Sequence, residues 1–302
     1  MTQEFYSNGK LLISGEYAVL DGALAWAMPT KYGQYLRITP NSSSQITWKS
    51  LDEKNTIWFE GSYDLNSLKE QTSSDLIIST ALIKILSEAR QLNPEFLLEY
   101  KGLEIETELT FPKDWGLGSS STLINNVANW AKVNAHELLA NTFGGSGYDI
   151  ACAQHNSPIL FQIKEELPTV QIIHENLPFT SSLYFIYLNQ KKNSRDAIAA
   201  YRKRSVNTNI LIKELSQITE KMIKARDISE FDVLVQKHEN VLSEALGIPT
   251  VKSELFPDYK GAIKSLGGWG GDFILAIGDA KTNEYFERKG YSTVISFSEM
   301  IL

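Results

Sequence analysis

Apolar and polar positions in this chain follow two different periods, and each change of period marks an element. Residues 103–109 (Leu-Glu-Ile-Glu-Thr-Glu-Leu) are apolar at every second position, which predicts a half-buried strand. Farther along, apolar residues recur at helical spacing, namely Leu123, Val127, Trp130, Ala131 and Leu138. We therefore predict a strand, a loop with glycines at 116 and 118, and a helix that begins within the serines at 119–121.

The same patterns predict the other elements. Strands are expected at 158–163, 169–173 and 183–188, and as a pair within 24–38. Helices are expected at 74–91, 207–226, 229–246 and 252–266. The predicted strand at 183–188 begins a new series of elements after the polar stretch near residue 176. We therefore predict an N-terminal domain at 1–176 and a C-terminal domain at 177–302.

Composition excludes several classes of protein. Of the 302 residues, 43% are hydrophobic and 22% charged, as in a folded globular protein and unlike a disordered chain. The net charge of −7 and the lack of a long basic run argue against nucleic acid as a partner. The one cysteine, Cys152, excludes an internal disulfide, and the first residues lack the pattern of a signal peptide. No apolar run approaches the ~20 residues of a membrane span, so we expect a cytoplasmic protein with no membrane partner.

The glycines and serines before the predicted helix at 119 are typical of an anion site. Glycine lets the backbone approach a ligand closely, and first-turn N–H groups have no partner inside their helix. With the positive end of the helix dipole, those groups suit phosphate. A loop with a serine N-cap is the simpler interpretation of this stretch alone, so other segments must decide.

Three other segments of the chain contain glycines beside charged residues. Residues 9–20 read Gly-Lys-Leu-Leu-Ile-Ser-Gly-Glu-Tyr-Ala-Val-Leu, residues 144–149 read Gly-Gly-Ser-Gly-Tyr-Asp, and residues 267–272 read Gly-Gly-Trp-Gly-Gly-Asp. Taken singly, Lys10 is equally well a solvated strand-edge residue, and Asp149 is more often a helix cap. The chain has no Walker-type phosphate loop, no G-x-G-x-x-G and no G-x-S-x-G. Its four histidines lack metal-ligand spacing, which argues against structural zinc.

Together, in this order, these segments resemble the GHMP kinase family, and residues 9–20 resemble its mevalonate and phosphomevalonate branch in particular. The resemblance covers the whole chain. It implies an α+β, two-domain fold with an N-terminal domain like ribosomal protein S5 and a ferredoxin-like C-terminal domain. It also implies transfer of a phosphoryl group from ATP to a small molecule, with Mg²⁺. The enzyme would be a monomer or a homodimer. Leu266 and Trp269 depart from the family, which usually has small residues there.

The resemblance also implies roles for individual residues. Lys10 and Asp149 match the catalytic lysine and aspartate. The segment that would hold the ATP phosphates is Gly116, Leu117, Gly118, Ser119, Ser120 and Ser121. Ser120 and Glu137 match magnesium ligands. The substrate-binding positions that it implies are Glu16, Tyr17, Ser146, Gly147, Lys191, Ser194, Gly270 and Gly271.

Phosphoryl transfer needs alignment and charge stabilisation more than covalent help from the protein. If the acceptor is an alcohol, Asp149 can take its proton, and a nearby lysine keeps that aspartate ionised. If the acceptor is already a phosphate, additional cations matter more, and residues 191–195 supply a polar, basic loop. We expect phosphomevalonate as the acceptor. Two alternatives stay open, mevalonate or another small alcohol as the acceptor, and a homologue that binds nucleotide without turnover.

Overall fold

The computed structural model describes residues 1–174, 177–190, 201–202, 208–267, 269 and 271–302. Its strands are β1 Gln3–Ser14, β2 Ala25–Pro40, β3 Gln45–Leu51, β4 Ile57–Asp64, β5 Glu70–Ser73, β6 Leu103–Leu109, β7 Ile159–Lys164, β8 Leu167–Ile172, β9 Leu183–Tyr187, β10 Ile263–Ser265, β11 Phe273–Ile277 and β12 Val294–Ser296. Its α-helices are α1 Leu76–Leu92, α2 Ser119–Ala131, α3 Ala135–Thr142, α4 Tyr148–Gln154, α5 Thr208–Lys224, α6 Ile228–Leu246, α7 Val251–Leu255, α8 Thr282–Arg288 and α9 Phe297–Met300.

The chain divides into two compact units, each made of several segments. The first comprises Met1–Gly9, Tyr32–Lys113 and Leu117–Gln154. The second comprises Lys10–Lys31, Asp114–Gly116 and His155–Leu302. The division after residue 176 that the sequence suggested remains a prediction. Among the described residues, no helix combines the length and the apolar character that crossing a membrane requires.

In the first unit, helices cover a mixed sheet whose strand order is β5-β4-β3-β6-β2. β3 runs parallel to β6, and the other neighbours in this order are antiparallel. Alternation in β6 sends Leu103, Ile105 and Leu109 inward. Leu103 and Ile105 join a core of side chains from the sheet and from α1, α2 and α3 that includes Trp48 and Phe59. The packing fixes the direction in which α2 begins.

In the second unit, β2 contributes its first residues, which pair with β7, and β7 pairs with β8. A separate antiparallel sheet has the order β10-β11-β9-β12. Because β11 is central there, all of its side chains are buried, Phe273 and Ile277 included. The long helices α5 and α6 bury Leu215 and Leu242 against the residues that follow β1.

Most of the predicted elements are confirmed, among them β6, α1, α2, α5 and α6. Two were wrong. Two strands were expected within 24–38, but residues 25–38 all belong to the one long strand β2. Gly33 keeps this strand close to its neighbour, because a Cβ there would lie 2.3 Å from the Ser7 carbonyl oxygen. Residues 252–266 are not one helix. Pro257 disfavours helical backbone at the residue before it, so α7 ends at Leu255 and residue 263 begins a strand.

Candidate active site

The predicted phosphate segment is a loop that leads into α2. Gly116 and Gly118 both have positive φ, 65° and 91°, which L side chains rarely adopt. Gly118 occupies the N-cap position, and no side-chain oxygen of the described residues caps α2 there. The first-turn N–H groups therefore remain available to an anion at the positive end of the helix dipole.

The three serines of this segment differ in their surroundings. Ser119 is half-buried and Ser120 is exposed. Ser121 is buried and donates to the Gly118 carbonyl oxygen at 2.8 Å. Ser121 thus stabilises the loop, and the exposed Ser120 hydroxyl can reach a ligand in solvent. Leu117 is fully buried and anchors the segment.

Lys10, Gly116 and Asp272 lie together, although they come from three different glycine-bearing segments. Lys10 is half-buried on β1, and its Nζ donates to the Gly116 carbonyl oxygen at 3.1 Å. On Gly116, an added Cβ would lie 2.5 Å from both Cγ and Oδ2 of Asp272. A side chain at 116 would therefore collide with the carboxylate. Within the second unit, an ammonium and a carboxylate therefore lie at Gly116.

Asp149 lies in the first turn of α4, half-buried, where its Oδ1 accepts from the N–H of Ile150 at 3.1 Å. It follows the turn that contains Ser146 and Gly147. Gly147 has a φ of 86°, and an added Cβ would lie 2.7 Å from Nδ1 of His136. Burial lowers the pKa of His136, and the Asp149 carboxylate opposes that shift. The imidazole of His136 therefore stays neutral near the aspartate. The spacing of the two residues in the sequence did not indicate this interaction.

The predicted magnesium ligands do not form a cluster with other acids. Glu137 is exposed in the first turn of α3, and Ser120 is exposed at the start of α2. Among the described residues, no group of three or more His, Cys, Asp or Glu side chains could hold a metal ion. One hydroxyl and one carboxylate suit Mg²⁺ only where phosphate oxygens and water complete its octahedron.

Glu16 and Tyr17, predicted to bind substrate, are both buried in the second unit. Glu16 is 2% exposed and accepts a hydrogen bond from Nζ of Lys264, which is itself fully buried. The Tyr17 hydroxyl accepts from the backbone N–H of Trp269 at 2.9 Å. Trp269 packs into the core between α5 and α6, and its Nε1 donates to the Pro249 carbonyl oxygen.

The ion pair belongs to a buried polar cluster that also includes Glu239 and His238. Glu239 Oε1 lies 3.1 Å from Lys264 Nζ, an ion pair without hydrogen-bond geometry. His238 Nε2 accepts from the N–H of Gly15 at 3.1 Å, so this nitrogen carries no proton. No sequence pattern indicates the cluster, because Lys264 lies in a segment that was predicted to be a helix.

Electrostatics in this cluster follow from complete burial. Burial raises the pKa of Glu16 to about 7, against the lowering effect of the Lys264 ammonium. Burial, and then the Lys264 charge, lower the pKa of His238 well below its usual value. Burial also disfavours the charge on Lys264, but its carboxylate partners Glu16 and Glu239 outweigh that effect and raise its pKa. Lys264 therefore keeps its charge at neutral pH.

Of the remaining predicted substrate-binding positions, one is described by the structure and three are not. Gly271 is buried beside Asp272. Lys191, Ser194 and Gly270 lie outside the described residues.

Comparison with known proteins identifies the fold. No family model matches the sequence, and no curated protein matches it either. Solved structures do. A mevalonate kinase superposes with a TM-score of 0.70 at 15% identity over 99% of this chain and all of the other. Streptococcus pneumoniae phosphomevalonate kinase, in complex with phosphomevalonate and AMPPNP, gives 0.69 at 15% identity over 95% of each chain.

Lactococcus lactis galactokinase, complexed with galactose, gives a TM-score of 0.71 at 13% identity over 95% of this chain and 88% of its own. All three are GHMP kinases. They act on different acceptors, so what they share with this chain is architecture. The predicted α+β fold class is confirmed, and the chain has the fold of the GHMP kinase family.

Proposed function

We propose that the protein is a GHMP kinase that transfers the γ-phosphoryl group of ATP to a small-molecule acceptor. One observation carries the proposal: Lys10 Nζ donates to the carbonyl oxygen of Gly116, 3.1 Å away. The contact brings an ammonium to Gly116, the first residue of the proposed phosphate segment. A cation at a phosphate-binding segment stabilises the charge that develops during phosphoryl transfer.

In this proposal, residues 116–121 bind the ATP phosphates. The N–H groups of Ser119 and Ser120 point out of the first turn of α2 toward an anion. Gly116 and Gly118 let the backbone come close to it. The ammonium of Lys10 stabilises charge on the transferred group, which is spread over several oxygens in the transition state.

Asp149 is proposed as the group that orients an acceptor and takes its proton. Its carboxylate is half-buried at the start of α4 and accepts one backbone hydrogen bond, so lone pairs remain for an acceptor hydroxyl. If the acceptor is a phosphate, which is already ionised, proton removal matters less. The Asp149→Asn variant therefore separates the two acceptor classes by the size of its effect.

Ser120 and Glu137 are proposed as protein ligands of Mg²⁺. Bound there, Mg²⁺ would supply positive charge to offset the negative charge of the phosphates. The chain's contribution is one exposed hydroxyl and one exposed carboxylate. Nucleotide phosphates and water would supply the other ligands.

Phosphomevalonate is the acceptor that we propose. Support comes from residues 9–20, which resemble the mevalonate and phosphomevalonate branch, and from the likeness to a phosphomevalonate kinase over nearly the whole chain. Two phosphates meeting in one site require cations beyond Lys10. The loop at 191–195, which lies outside the described residues, is the segment of the sequence that offers them.

The test is ADP release with Mg-ATP and four acceptors: phosphomevalonate, mevalonate, homoserine and galactose. We expect turnover with phosphomevalonate. Lys10→Met should lower kcat about a hundredfold or more, and ATP binding should persist because the backbone N–H groups are unchanged. Lys213→Met is the matched control, since Lys213 is exposed on α5, and it should leave kcat unchanged.

Each other outcome has a definite meaning. Turnover with mevalonate alone, together with an Asp149→Asn loss of about 10²–10⁴-fold, would assign the alcohol as acceptor and Asp149 as its base. Binding of ATP without turnover on any acceptor would reject the enzyme and leave a nucleotide-binding homologue. Failure to bind ATP would reject the proposed phosphate segment itself.

A further inference from the structure

The turn at Tyr17 has a backbone conformation that residues other than glycine rarely adopt. Its φ is 59° and its ψ is −50°. The N–H of Ala18 donates to the carbonyl oxygen of Glu16 at 2.6 Å and closes a three-residue γ-turn. Such strain persists only where the surroundings hold the residue in place, and it is commonest at functional sites.

Two side-chain contacts hold this turn, one on the strained Tyr17 and one on Glu16 before it. Glu16 accepts a hydrogen bond from Lys264 Nζ, and the Tyr17 hydroxyl accepts from the N–H of Trp269. Both donors lie within 264–269, the segment that enters the last glycine-rich run. Glu16 and Tyr17 are therefore tied to Lys264 and Trp269, respectively.

Neither Glu16 nor Lys264 is accessible to a ligand. Glu16 is 2% exposed and Lys264 is not exposed at all. The ammonium is compensated by two carboxylates, because Glu239 Oε1 lies 3.1 Å from its Nζ. Any influence of this pair on an acceptor must act through the backbone of the turn and of the glycine-rich run.

We infer that Tyr17 and Lys264 are positioning residues that set the affinity for the acceptor, and that Glu16 acts with them instead of contacting substrate. The inference rests on the proposed kinase function. The geometry offers a reason for Trp269, which departs from the small residue usual in the family. Its side chain is buried between α5 and α6, so its backbone N–H is held where the Tyr17 hydroxyl can accept from it.

Tyr17→Phe is the test, because it removes one hydroxyl and keeps the ring that stacks on Tyr201 at 5.6 Å. Loss of one hydrogen bond should raise the acceptor KM about tenfold, with kcat and the ATP KM within about twofold of wild type. Tyr201→Phe is the matched control. It removes the hydroxyl that donates to Asp21 at 2.6 Å, outside the contacts to 264–269, and should change none of these constants.

Hydrogen exchange of the Trp269 amide gives a readout that does not need turnover. The amide should exchange about tenfold faster in Tyr17→Phe than in wild type or Tyr201→Phe, since its acceptor is gone. Faster exchange with a raised acceptor KM supports the inference. Faster exchange with an unchanged KM, or unchanged exchange, overturns it. If wild type turns over neither phosphomevalonate nor mevalonate, the proposed function fails, and the exchange rates alone decide whether the contact holds the segment.

Discussion

Replacing Glu16 with glutamine should make the stability of the protein fall more steeply in mild acid, because in the wild type Glu16 offsets the pH dependence of His238. In the folded state Glu16 has a pKa of about 7 against an ordinary 4.5, and the pKa of His238 lies well below 6.5. Between pH 4.5 and 6.5, folding therefore adds a proton to Glu16 and removes one from His238. The two changes cancel, because the pH slope of stability follows the difference in bound protons.

The two groups change the stability in opposite directions as the pH falls. The lowered pKa of His238 contributes stability above pH 6.5 that is lost as pH falls. The raised pKa of Glu16 contributes stability below pH 4.5 that is lost as pH rises through 7. With Glu16→Gln only the histidine part remains, so the free energy of unfolding should fall as the pH is lowered from 6.5 to 5.0, by roughly 1–2 kcal/mol. Lys264 stays charged throughout, since carboxylate partners raise its pKa.

Urea unfolding at pH 5.0, 5.75 and 6.5 measures this, with wild type and variant compared at each pH. Other titrating groups, among them His136, are common to both proteins, so the difference isolates the buried pair. His238→Gln is the mirror-image variant and should lose stability as pH rises over the same range. Equal pH slopes for wild type and Glu16→Gln would refute the coupling of the two groups.

Two further substitutions test other parts of the structure. Gly116→Ala should destabilise the protein by about 1–3 kcal/mol and raise the ATP KM, because a Cβ at this positive φ meets the Asp272 carboxylate; unchanged urea unfolding and ATP KM would contradict the close approach. Asp75→Ala should cost about 1 kcal/mol, because the Asp75 carboxylate caps α1 by accepting from the N–H groups of Ile77 and Ile78. Asp75→Asn retains a cap and should cost less, and equal losses for the two variants would argue against capping.

Elements with a strong period were predictable from sequence. Alternation over 103–109 predicted β6, and the spacing of Leu123, Val127 and Trp130 predicted α2, since each pattern leaves one apolar face. Leu138, which continued that spacing, lies in the separate helix α3. The strand at residue 263 was missed because its three residues are too few to show a period, and Lys264 interrupts the apolar positions around it. Only its burial between two carboxylates explains a lysine there.

The candidate site likewise has local features that could be predicted and long-range contacts that could not. Glycines at 116 and 118 signal a close approach of the backbone, and the serines signal a helix start, so this part follows from local chemistry. The contact of Lys10 with Gly116 spans 106 residues and depends on tertiary packing. The cluster of Glu16 with Lys264 spans 248 residues. No pattern of neighbouring residues reports such pairs.

The interleaving of the two units along the chain has a consequence for synthesis. The second unit takes β1 from residue 10 onward, returns for three residues at 114–116, and gains the rest only after residue 155. As the chain leaves the ribosome, the first strand of this unit is synthesised early, and the segments that pack against it are synthesised only after residue 155. A fragment that stops at residue 176 would contain every segment of the first unit and would leave residues 10–31 without α5 and α6, which cover them in the complete chain. Such a fragment would expose Tyr17 and Ala18 to solvent, and aggregation during translation is the hazard that this order creates.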